Sequence, residues 1–382
     1  MKLPMGFRAS GVRAGIKPSG KPDLGLVVGD RPLLWALTTT RNLVRAPCVT
    51  RNRARAASEA PVRALAVNAG NANCANGDEG IWDNEDFAAT AARALGLGRP
   101  QEVLTASTGV IGRRLPMERV RAGLPVAAAE LSDDLDAFAE AILTTDLVTK
   151  TAETEFGGGT RVVGVAKGSG MIHPNMATMF AFLFTDALVD QAALREAWAG
   201  IVRRTFNQIT VDGDTSTNDM ALVLSSGRRA ASLDDLADAL ERVAGELARS
   251  IARDGEGATT LITVEVRGGR DEADALAAAR SVAGSSLVKA AVHGRDPNWG
   301  RILSAVGQAG VVADLSAIAI GLQGTTVYRG APVAFDAEAV SQAMRGPDVV
   351  IEVDLAAGGA EGRAWGCDLT AEYVKINALY TT

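Results

Sequence analysis

The stretch K-G-S-G-M-I-H-P-N-M-A-T-M-F-A-F-L-F-T-D-A, residues 167–187, joins a glycine-rich turn to an apolar run, with Thr178 at the junction. The run M-F-A-F-L-F that follows is typical of a buried β-strand. Threonine is common in strands, so a purely structural role is one interpretation of Thr178. A hydroxyl at the entry to a buried strand is also a candidate nucleophile, and the rest of the sequence must decide between the two.

Strand-like and helical segments alternate along the chain. The strand-like segments are L-G-L-V-V, V-R-A-L-A-V-N-A-G, V-L-T-A-S-T-G-V-I-G, T-R-V-V-G-V-A-K, L-I-T-V-E-V and D-V-V-I-E-V-D-L. The clearest helix is predicted to follow Ser232, a good capping residue, because leucine, valine and isoleucine recur at helical spacing from Leu233 to Ile251. Other helical segments are E-D-F-A-A-T-A-A-R-A-L-G-L, F-A-E-A-I-L-T-T and D-E-A-D-A-L-A-A-A-R-S-V-A. This alternation predicts an α/β protein of layered sheets and helices.

Bulk properties narrow the class of protein. The 382 residues carry a formal charge of −6, which argues against a nucleic-acid partner. No stretch reaches the roughly 18 apolar residues of a membrane span, and the N-terminus lacks the apolar core of a secretory signal. The three cysteines, Cys48, Cys74 and Cys367, are scattered, which suggests reduced thiols. We therefore expect a cytoplasmic globular protein.

Several familiar chemistries are excluded by residue order. Lys167 follows Ala166 and precedes Gly168, so V-A-K-G-S-G is not a P-loop. The acidic run V-D-G-D-T-S-T-N-D-M, residues 211–220, does not match a calcium loop; a magnesium site there is less favoured than a polar turn beneath an active site. With only His173 and His293, a multi-histidine metal site is impossible, and we interpret both as structural turn residues.

Motifs along almost the entire chain resemble one known family. They are G-F-R-A-S-G-V-R-A-G-I-K, V-N-A-G-N-A-N, A-S-T-G-V-I-G, L-T-T-D, K-G-S-G-M-I-H-P-N-M-A-T-M, D-G-D-T-S-T-N-D, D-G-E-G-A-T, H-G-R-D-P-N-W-G-R and the terminal Y-V-K-I-N-A-L-Y-T-T. This set resembles the ornithine acetyltransferase family, also called glutamate N-acetyltransferase or ArgJ, of arginine biosynthesis.

The resemblance implies a precursor that cuts itself between Ala177 and Thr178. The products would be an α chain, residues 1–177, and a β chain, residues 178–382. The implied fold is a layered α/β sandwich of mixed sheets and helices of the self-cleaving ArgJ/DmpA-like type. Residues 178–284 would complete the main sandwich and residues 285–382 would form a smaller C-terminal α/β lobe. Members of the family are usually α2β2 heterotetramers or larger.

Threonine suits this chemistry for physical reasons. The hydroxyl of Thr178 can attack the preceding carbonyl to form an ester, whose hydrolysis frees a new α-amine. Because an α-amine titrates at roughly 7.7–8.0, part of it is neutral at physiological pH and can accept the proton of the hydroxyl. The β-branch also restricts the orientations of Oγ1. The amine supplies the base that a histidine-poor sequence lacks.

The resemblance also implies the oxyanion hole and one charged residue of the site. Acyl transfer needs hydrogen-bond donors aimed at a developing oxyanion. In A-S-T-G-V-I-G that role falls to the side chain of Thr108 and the backbone N–H of Gly109, where glycine allows close approach of the backbone. Lys167 matches a lysine of the substrate site, where it would hold a carboxylate or lower the pKa of the α-amine.

The remaining implied contacts involve the substrate. Glu256 in D-G-E-G-A-T would pair with an amino group of ornithine, and Asn377 and Thr382 would contact the substrate from the C-terminus. One threonine of L-T-T-D would make a further contact. Both Thr144 and Thr145 are candidates, and we favour Thr145. Thr178 itself also belongs to the substrate-binding set.

The predicted function is therefore transfer of acetyl from N2-acetylornithine to glutamate through a threonine acyl-enzyme, with no cofactor or metal. Whether acetyl-CoA also serves as a donor stays open. One alternative is a related self-cleaving aminopeptidase or amidase, in which water replaces glutamate. Another is an unprocessed binding protein without activity. C-A-N-G stands where the family usually has A-C-T-G, and L-V-T-K follows L-T-T-D. These departures bear on the identity of the acceptor rather than on the type of reaction.

Overall fold

The structure, a computed structural model, describes residues 1–58, 61–173 and 179–379. Its strands are β1 (Phe7–Val12), β2 (Leu24–Thr39), β3 (Val62–Asn71), β4 (Val103–Val110), β5 (Lys150–Phe156), β6 (Thr160–Lys167), β7 (Phe180–Leu188), β8 (Ile209–Thr210), β9 (Met220–Ala230), β10 (Leu261–Gly269), β11 (Ala319–Leu322), β12 (Thr325–Arg329), β13 (Asp348–Asp354) and β14 (Ala360–Cys367). Its α-helices are α1 (Pro47–Ala56), α2 (Gly77–Ala94), α3 (Met117–Ala129), α4 (Asp136–Ala141), α5 (Gln191–Arg204), α6 (Leu233–Arg253), α7 (Glu272–Gly284), α8 (Ser286–Gly294), α9 (Trp299–Gly307), α10 (Ala337–Ala343) and α11 (Ala371–Leu379).

The first sheet folds back on itself about its longest strand. Within the described ranges it has eight strands in the order β4-β3-β2-β9-β7-β6-β5, with β1 paired to β2. The first part of β2, from Leu24 to Val28, pairs with β3, and the last part, from Leu34 to Thr39, pairs with β9. The pairing with β3 shifts register between Val28 and Leu33. The strand thereby serves two layers, one on each side of the shift.

A shared core between these two layers follows from the alternation of side chains along each strand. In β7, Phe180, Phe182 and Phe184 enter the core that also holds Leu65 and Val67 of β3. Successive strand residues point to opposite faces, so the odd-numbered residues of β7 face the other way. The phenylalanines of the opening stretch therefore hold the two layers together. Burial of each contributes on the order of 1.5–3 kcal/mol.

Helices cover the two outer faces. Ala181 and Leu183 of β7 pack in a second core with residues of α5 and α6. On the other layer, Ala64 and Ala66 of β3 pack with residues of α2 and α3. The order of layers is helices, sheet, sheet and helices. This confirms the predicted α/β class with layered mixed sheets.

A six-stranded sheet of the described residues forms the second unit, in the order β12-β11-β13-β10-β14-β8. One face packs against residues of α7, α8, α9 and α10. Leu261, Trp365 and Cys367 of this sheet also belong to the core beneath α5 and α6. That shared core fixes the second sheet against the first and brings the C-terminal helix α11 towards the sandwich.

Most of the predicted elements are confirmed. Ser232 caps α6, and its hydroxyl accepts a hydrogen bond from the N–H of Asp235 at 3.1 Å. His293 is a correction: it lies in the last turn of α8 rather than in a loop, and the turn begins at Arg295, whose φ is +57°. The division of the chain at residues 178 and 285 stays a prediction. Within the described ranges no single helix combines the length and apolarity of a membrane span; only α7 and α8 together, bent by 57°, do so.

Candidate functional site

A cavity of about 220 Å³ lies where the sandwich, the segment after β6 and helix α11 meet. It gathers residues from widely separated parts of the chain. Those predicted from the sequence are Thr108, Gly109, Thr144, Thr145, Lys167, Glu256 and Asn377. Five more, Asp212, Asp214, Ser216, Thr217 and Asn218, belong to the acidic run at residues 211–220 that the sequence analysis interprets as a polar turn beneath an active site. Those not predicted are Ala72, Ile111, Gly170, Met171 and Tyr373. Ala177, Thr178 and Thr382 lie outside the described residues.

A larger groove of about 1270 Å³ is also present. Its lining includes Arg242 and Arg249 of α6 and Glu265 and Arg267 of β10. Acidic and basic side chains are mixed there, and none of the predicted site residues contributes to the lining. The smaller cavity is therefore the candidate site, because convergence of specific polar groups counts for more than volume.

Thr108 and Gly109, the two residues predicted to form the oxyanion hole, lie at the end of β4. Thr108 is buried, and Gly109 has φ of +130°, a conformation that favours glycine. A Cβ on Gly109 would meet the carbonyl carbon of Gly70 at 2.3 Å. The parallel strands β3 and β4 shift register at this point, between Gly70 and Asn71. The two glycines let the strand ends approach closely, and this turns the backbone at Gly109 out of the regular ladder.

Lys167 ends β6 and is also buried. Its Nζ lies 3.0 Å from Oγ1 of Thr108. An ammonium group can only donate, so Oγ1 accepts this bond and the Thr108 O–H is left to donate elsewhere. Burial lowers the pKa of Lys167, and the carboxylates of Asp146 and Asp219 act in the opposite direction. The arrangement can present the threonine hydroxyl as a donor beside a positive charge.

A buried ion cluster supports the cavity from below. Nζ of Lys150 donates to Asp146 at 2.6 Å and to Asp254 at 2.5 Å. Asp146 also accepts from the N–H groups of Thr144, at 3.0 Å, and Gly168, at 2.6 Å. Burial alone would raise the pKa of Asp146, but the charges of Lys150 and Lys167 together with these hydrogen bonds lower it to about 2.

This cluster fixes three segments at once. Asp146 follows the two predicted threonines, Gly168 follows Lys167, and Asp254 stands two residues before Glu256. The hydroxyl of Ser169 further donates to the carbonyl of Asp254 at 2.6 Å. Three predicted substrate-binding segments therefore depend on a common set of buried charges, which sequence motifs do not reveal.

Glu256 is held between a glycine and the C-terminal helix. Its N–H donates to the carbonyl of Ser169 at 2.9 Å. A Cβ on Gly170 would lie 2.4 Å from the Glu256 carboxyl carbon, so only glycine leaves room for this side chain. From α11, Nδ2 of Asn377 donates to Oε2 of Glu256 at 3.0 Å. Burial and the nearby carboxylates of Asp212 and Glu256 raise the pKa of Tyr373.

The acidic run at residues 211–220 forms one wall, as the sequence interpretation expects. Asp212 accepts from the N–H groups of Met171 at 2.6 Å and Ile172 at 2.8 Å, and burial raises its pKa. Nδ2 of Asn218 donates to the carbonyls of Ala72 and Ser107. No group of three or more His, Cys, Asp or Glu side chains suited to a metal occurs in the described part of the chain.

The described residues on both sides of the predicted cleavage site are anchored. Before it, Nδ1 of His173 lies 3.2 Å from Oγ1 of Thr210, and burial together with the charge of Arg280 lowers the histidine pKa. After it, the N–H of Met179 donates to Oδ1 of Asp219 at 3.0 Å. The ends of the segment that contains Ala177 and Thr178 are thus fixed to the main sandwich and to β8.

Comparison with known proteins identifies a family that this chain matches over almost its full length. The model of the ArgJ family matches residues 8–382. The chain is 56% identical over 383 residues to the arginine biosynthesis bifunctional protein ArgJ of Thermus thermophilus, with all of both chains covered. Identity to the protein of the same name from Deinococcus radiodurans is also 56%, covering all of this chain and 98% of that one.

A solved structure is similar as well. The crystal structure of the arginine biosynthesis bifunctional protein argJ from Bacillus halodurans is 42% identical, with a TM-score of 0.52. The match covers 53% of this chain and all of the solved chain.

Proposed function

The chain belongs to the ArgJ family, and from this membership we propose that it is a self-processing glutamate N-acetyltransferase, or ornithine acetyltransferase. In this proposal it moves an acetyl group from N2-acetylornithine to glutamate. An acyltransferase of arginine biosynthesis fits the named relatives, which are bifunctional proteins of that process. The observation that carries the proposed site is the convergence on one cavity of Thr108, Gly109, Lys167, Glu256 and Asn377.

In this proposal, self-cleavage generates the catalytic residue, an N-terminal Thr178 with a free α-amine. The hydroxyl oxygen of Thr178 attacks the carbonyl carbon of Ala177, the C–N bond breaks, and an ester forms. Water hydrolyses the ester, which restores the hydroxyl and leaves a free α-amine on Thr178. The products are an α chain that ends at Ala177 and a β chain that begins at Thr178. An assembly of the α2β2 type is expected.

Acetyl transfer then takes place in two balanced steps. Oγ1 of Thr178 bonds to the acetyl carbon of N2-acetylornithine, the amide C–N bond breaks, and the hydroxyl proton passes through the α-amine to the departing ornithine amine. Next, the amine of glutamate attacks the ester carbon, the C–O bond breaks, and a proton returns to Thr178. The Thr108 O–H and the Gly109 N–H would stabilise the oxyanion in both steps.

The charges of the cavity favour an amino-acid substrate. Lys167 supplies a positive charge and Glu256 a negative one, and Asn377 binds Glu256 from the C-terminal helix. N2-acetylornithine carries a carboxylate and a side-chain ammonium, so both charges of the cavity find a partner. Thr144 and Thr145 both line the cavity, and we retain Thr145 as the favoured contact. Thr382 stays part of the proposed substrate-binding set.

The chain's own residues can supply every step of this scheme, so we propose that no cofactor or metal takes part. The word bifunctional in the names of relatives motivates a test of acetyl-CoA as a second acetyl donor. The three cysteines are free and buried, which is compatible with the proposed cytoplasmic location.

The main alternative is an amidase in which water accepts the acetyl group. The paired charges of Lys167 and Glu256 favour transfer, because hydrolysis needs no site for a zwitterionic acceptor. Measuring N-acetylglutamate against free acetate, with and without glutamate, separates the two reactions. Acetate alone at saturating glutamate would establish the amidase.

The decisive experiment follows the nucleophile. Purified protein is expected to run as two chains, with the second beginning T-M-F-A-F, and Thr178→Ala is expected to give one uncut, inactive chain. Processed enzyme mixed with N2-acetylornithine alone should carry one acetyl group on the β chain, detectable by mass spectrometry. Double-reciprocal plots at several glutamate concentrations should be parallel. Intersecting lines with no adduct would replace this mechanism by direct transfer in a ternary complex.

A further inference from the structure

Asp219 is a buried carboxylate with no role in the scheme above. It immediately precedes β9 and is 1% exposed. Its Oδ1 accepts the N–H of Met179 at 3.0 Å, while the N–H of the next residue, Met220, donates to the carbonyl of Met179 at 3.1 Å. Both polar groups of the Met179 backbone are therefore fixed by two consecutive residues. Among the described residues, no hydrogen bond reaches the other carboxyl oxygen, Oδ2.

The position of Met179 makes this contact relevant to catalysis. Its N–H belongs to the peptide group that joins Met179 to Thr178. Peptide groups are planar, so a hydrogen bond to this N–H restrains the orientation of the whole group. A bond to Asp219 thus acts one residue away from the proposed nucleophile, at the start of β7.

The residue before Asp219 fixes the other half of the site. Nδ2 of Asn218 donates to the carbonyl of Ser107 at 2.6 Å and to that of Ala72 at 2.7 Å. Ser107 directly precedes Thr108, the proposed oxyanion donor. Two adjacent side chains therefore connect two strands of the proposed site. Asn218 binds β4, which carries Thr108, and Asp219 binds the residue directly before β7.

We infer that Asp219 is a positioning residue for Thr178, and that its oxygen acceptor, rather than its charge, is what the reaction requires. The inference rests on the proposed function, since it assumes that Thr178 is the nucleophile. Asn218 holds the strand that carries Thr108, and Asp219 holds the residue that follows Thr178 in the chain. Displacement of a reacting group by about 1 Å can cost on the order of 10²-fold in rate.

The state of the carboxyl group agrees with this assignment. Burial raises the pKa of Asp219 well above its ordinary value, against the lowering effects of the Met179 N–H, the charge of Lys167 and the hydroxyl of Ser216. The oxygen that accepts the Met179 N–H is present in either protonation state of the carboxyl group. Asparagine has the same shape and the same acceptor, so it should replace Asp219 with little loss.

The test compares two substitutions with opposite expectations. Asp219→Asn keeps the acceptor, so self-cleavage, kcat and the pH–rate profile should stay within about threefold of the parent protein. Asp219→Leu removes the acceptor at similar volume; self-cleavage should slow and kcat should fall on the order of 10²-fold, with KM within about twofold. Loss of kcat in a folded Asp219→Asn variant would overturn the inference, even if Asp219→Leu does not fold.

A matched control lies at the far end of β7, the strand that begins directly after Met179. Oδ1 of Asp186 in β7 is also buried and accepts the N–H of Arg161 at 3.0 Å. Asp186→Asn should leave self-cleavage and kcat unchanged. Wild-type kcat in Asp219→Leu would overturn the inference but not the proposed function. Full transfer activity in Thr178→Ala would instead refute the proposed function, whatever the Asp219 variants do.

Discussion

The ammonium nitrogen of Lys167 lies 3.0 Å from the hydroxyl oxygen of Thr108, and both side chains are buried, one near the end of β6 and the other near the end of β4. Because the lysine donates, the threonine oxygen is occupied as an acceptor and its proton is free for the substrate. In the proposed mechanism the two residues act as one unit, in which the lysine orients the hydroxyl and the hydroxyl stabilises the oxyanion.

The first prediction is non-additivity between these residues. Thr108→Ala should lower kcat by about 10²–10³, the usual loss for one oxyanion donor. Lys167→Met should lower kcat through the same hydroxyl as well as any direct effect on the substrate. Residues that act as a unit give double variants little worse than the worse single variant. Steady-state kinetics of the two single variants and the double variant test this, and fully multiplicative losses would contradict it.

The second prediction is a lysine-dependent alkaline limb. Burial lowers the pKa of Lys167 below its ordinary 10.5. The neutral amine has a lone pair that can accept the Thr108 O–H, whereas the protonated amine can only donate and leaves that proton available. Activity should therefore be complete below the folded-state pKa of Lys167 and should fall as the pH rises through it. A pH–rate profile measures this limb, and Lys167→Met should lack it. An identical limb in that variant would assign it to another group.

The third prediction concerns stability in acid. The folded pKa of Asp146 is about 2, below its ordinary 3.8, and a depressed carboxyl pKa contributes stability above the unfolded value. The contribution is about 2 kcal/mol at neutral pH and is lost as the pH falls from about 4 to about 2. Asp146→Asn should unfold more easily at pH 6 and show a flatter dependence of Tm on pH in that window.

An exposed pair provides its control. Asp133 accepts from Lys2 at 2.6 Å at the surface, where ion pairs contribute little. Asp133→Asn should keep the Tm and its pH dependence close to those of the parent protein. An equal loss of stability in both variants would mean that the buried cluster has no special role in acid unfolding.

The fourth prediction exploits the contact between Gly170 and Glu256. A Cβ at position 170 would lie 2.4 Å from the glutamate carboxyl carbon, so Gly170→Ala must displace that side chain. The expected result is a KM for N2-acetylornithine higher by on the order of tenfold, the factor that corresponds to 1.4 kcal/mol. Self-cleavage should continue. Initial rates give the KM, and a denaturing gel shows whether the chain is cleaved.

Gly245, inside α6, is the matched control. A Cβ there meets nothing within 4 Å. Since alanine is favoured over glycine in a helix interior by roughly 0.5–1 kcal/mol, Gly245→Ala should raise the Tm slightly and leave KM unchanged. A raised KM in both variants would remove the steric explanation.

The fold could be predicted where a pattern is local. The apolar run of β7 and the heptad-like leucines of α6 are visible within twenty residues, and both elements are confirmed. The sequence patterns do not predict strands β1, β5, β8, β9, β11, β12 and β14. The burial of β5 alternates from Lys150 onwards, a period that could have indicated it, although its first buried residue is a charged lysine. Pattern reasoning does not expect a lysine there, because its partners are distant along the chain.

The candidate site shows the same limit. Motif resemblance predicted Thr108, Lys167 and Glu256, all of which line the cavity. It did not predict the groups that hold them: Lys150 and Asp254 are 104 residues apart, and Asn218 and Ser107 are 111 apart. A single sequence does not show which buried groups contact each other across such separations, so only the structure can identify these pairs.

The last prediction concerns the C-terminal helix. Asn377 of α11 donates to Glu256 at 3.0 Å, and the same nitrogen lies 3.1 Å from the carbonyl of Tyr373. Asn377→Ala removes the donor, and Asn377→Asp sets a second carboxylate beside Glu256. Both should raise KM for N2-acetylornithine, the aspartate more strongly because like charges repel. Deletion of the last two residues, which includes Thr382, should also lower kcat/KM.

Self-cleavage should be largely preserved in all three proteins, because the contact joins α11 to Glu256 and involves neither Thr108 nor Gly109. Lys375→Ala is the control, since Lys375 is on the same helix but pairs only with the exposed Glu372 among the described residues. Its kinetics should match those of the parent protein. The prediction would be contradicted if Asn377→Asp left kcat/KM unchanged while Glu256→Gln lowered it. In that case the C-terminal helix would have no part in substrate binding, and Glu256 would bind the amino group without it.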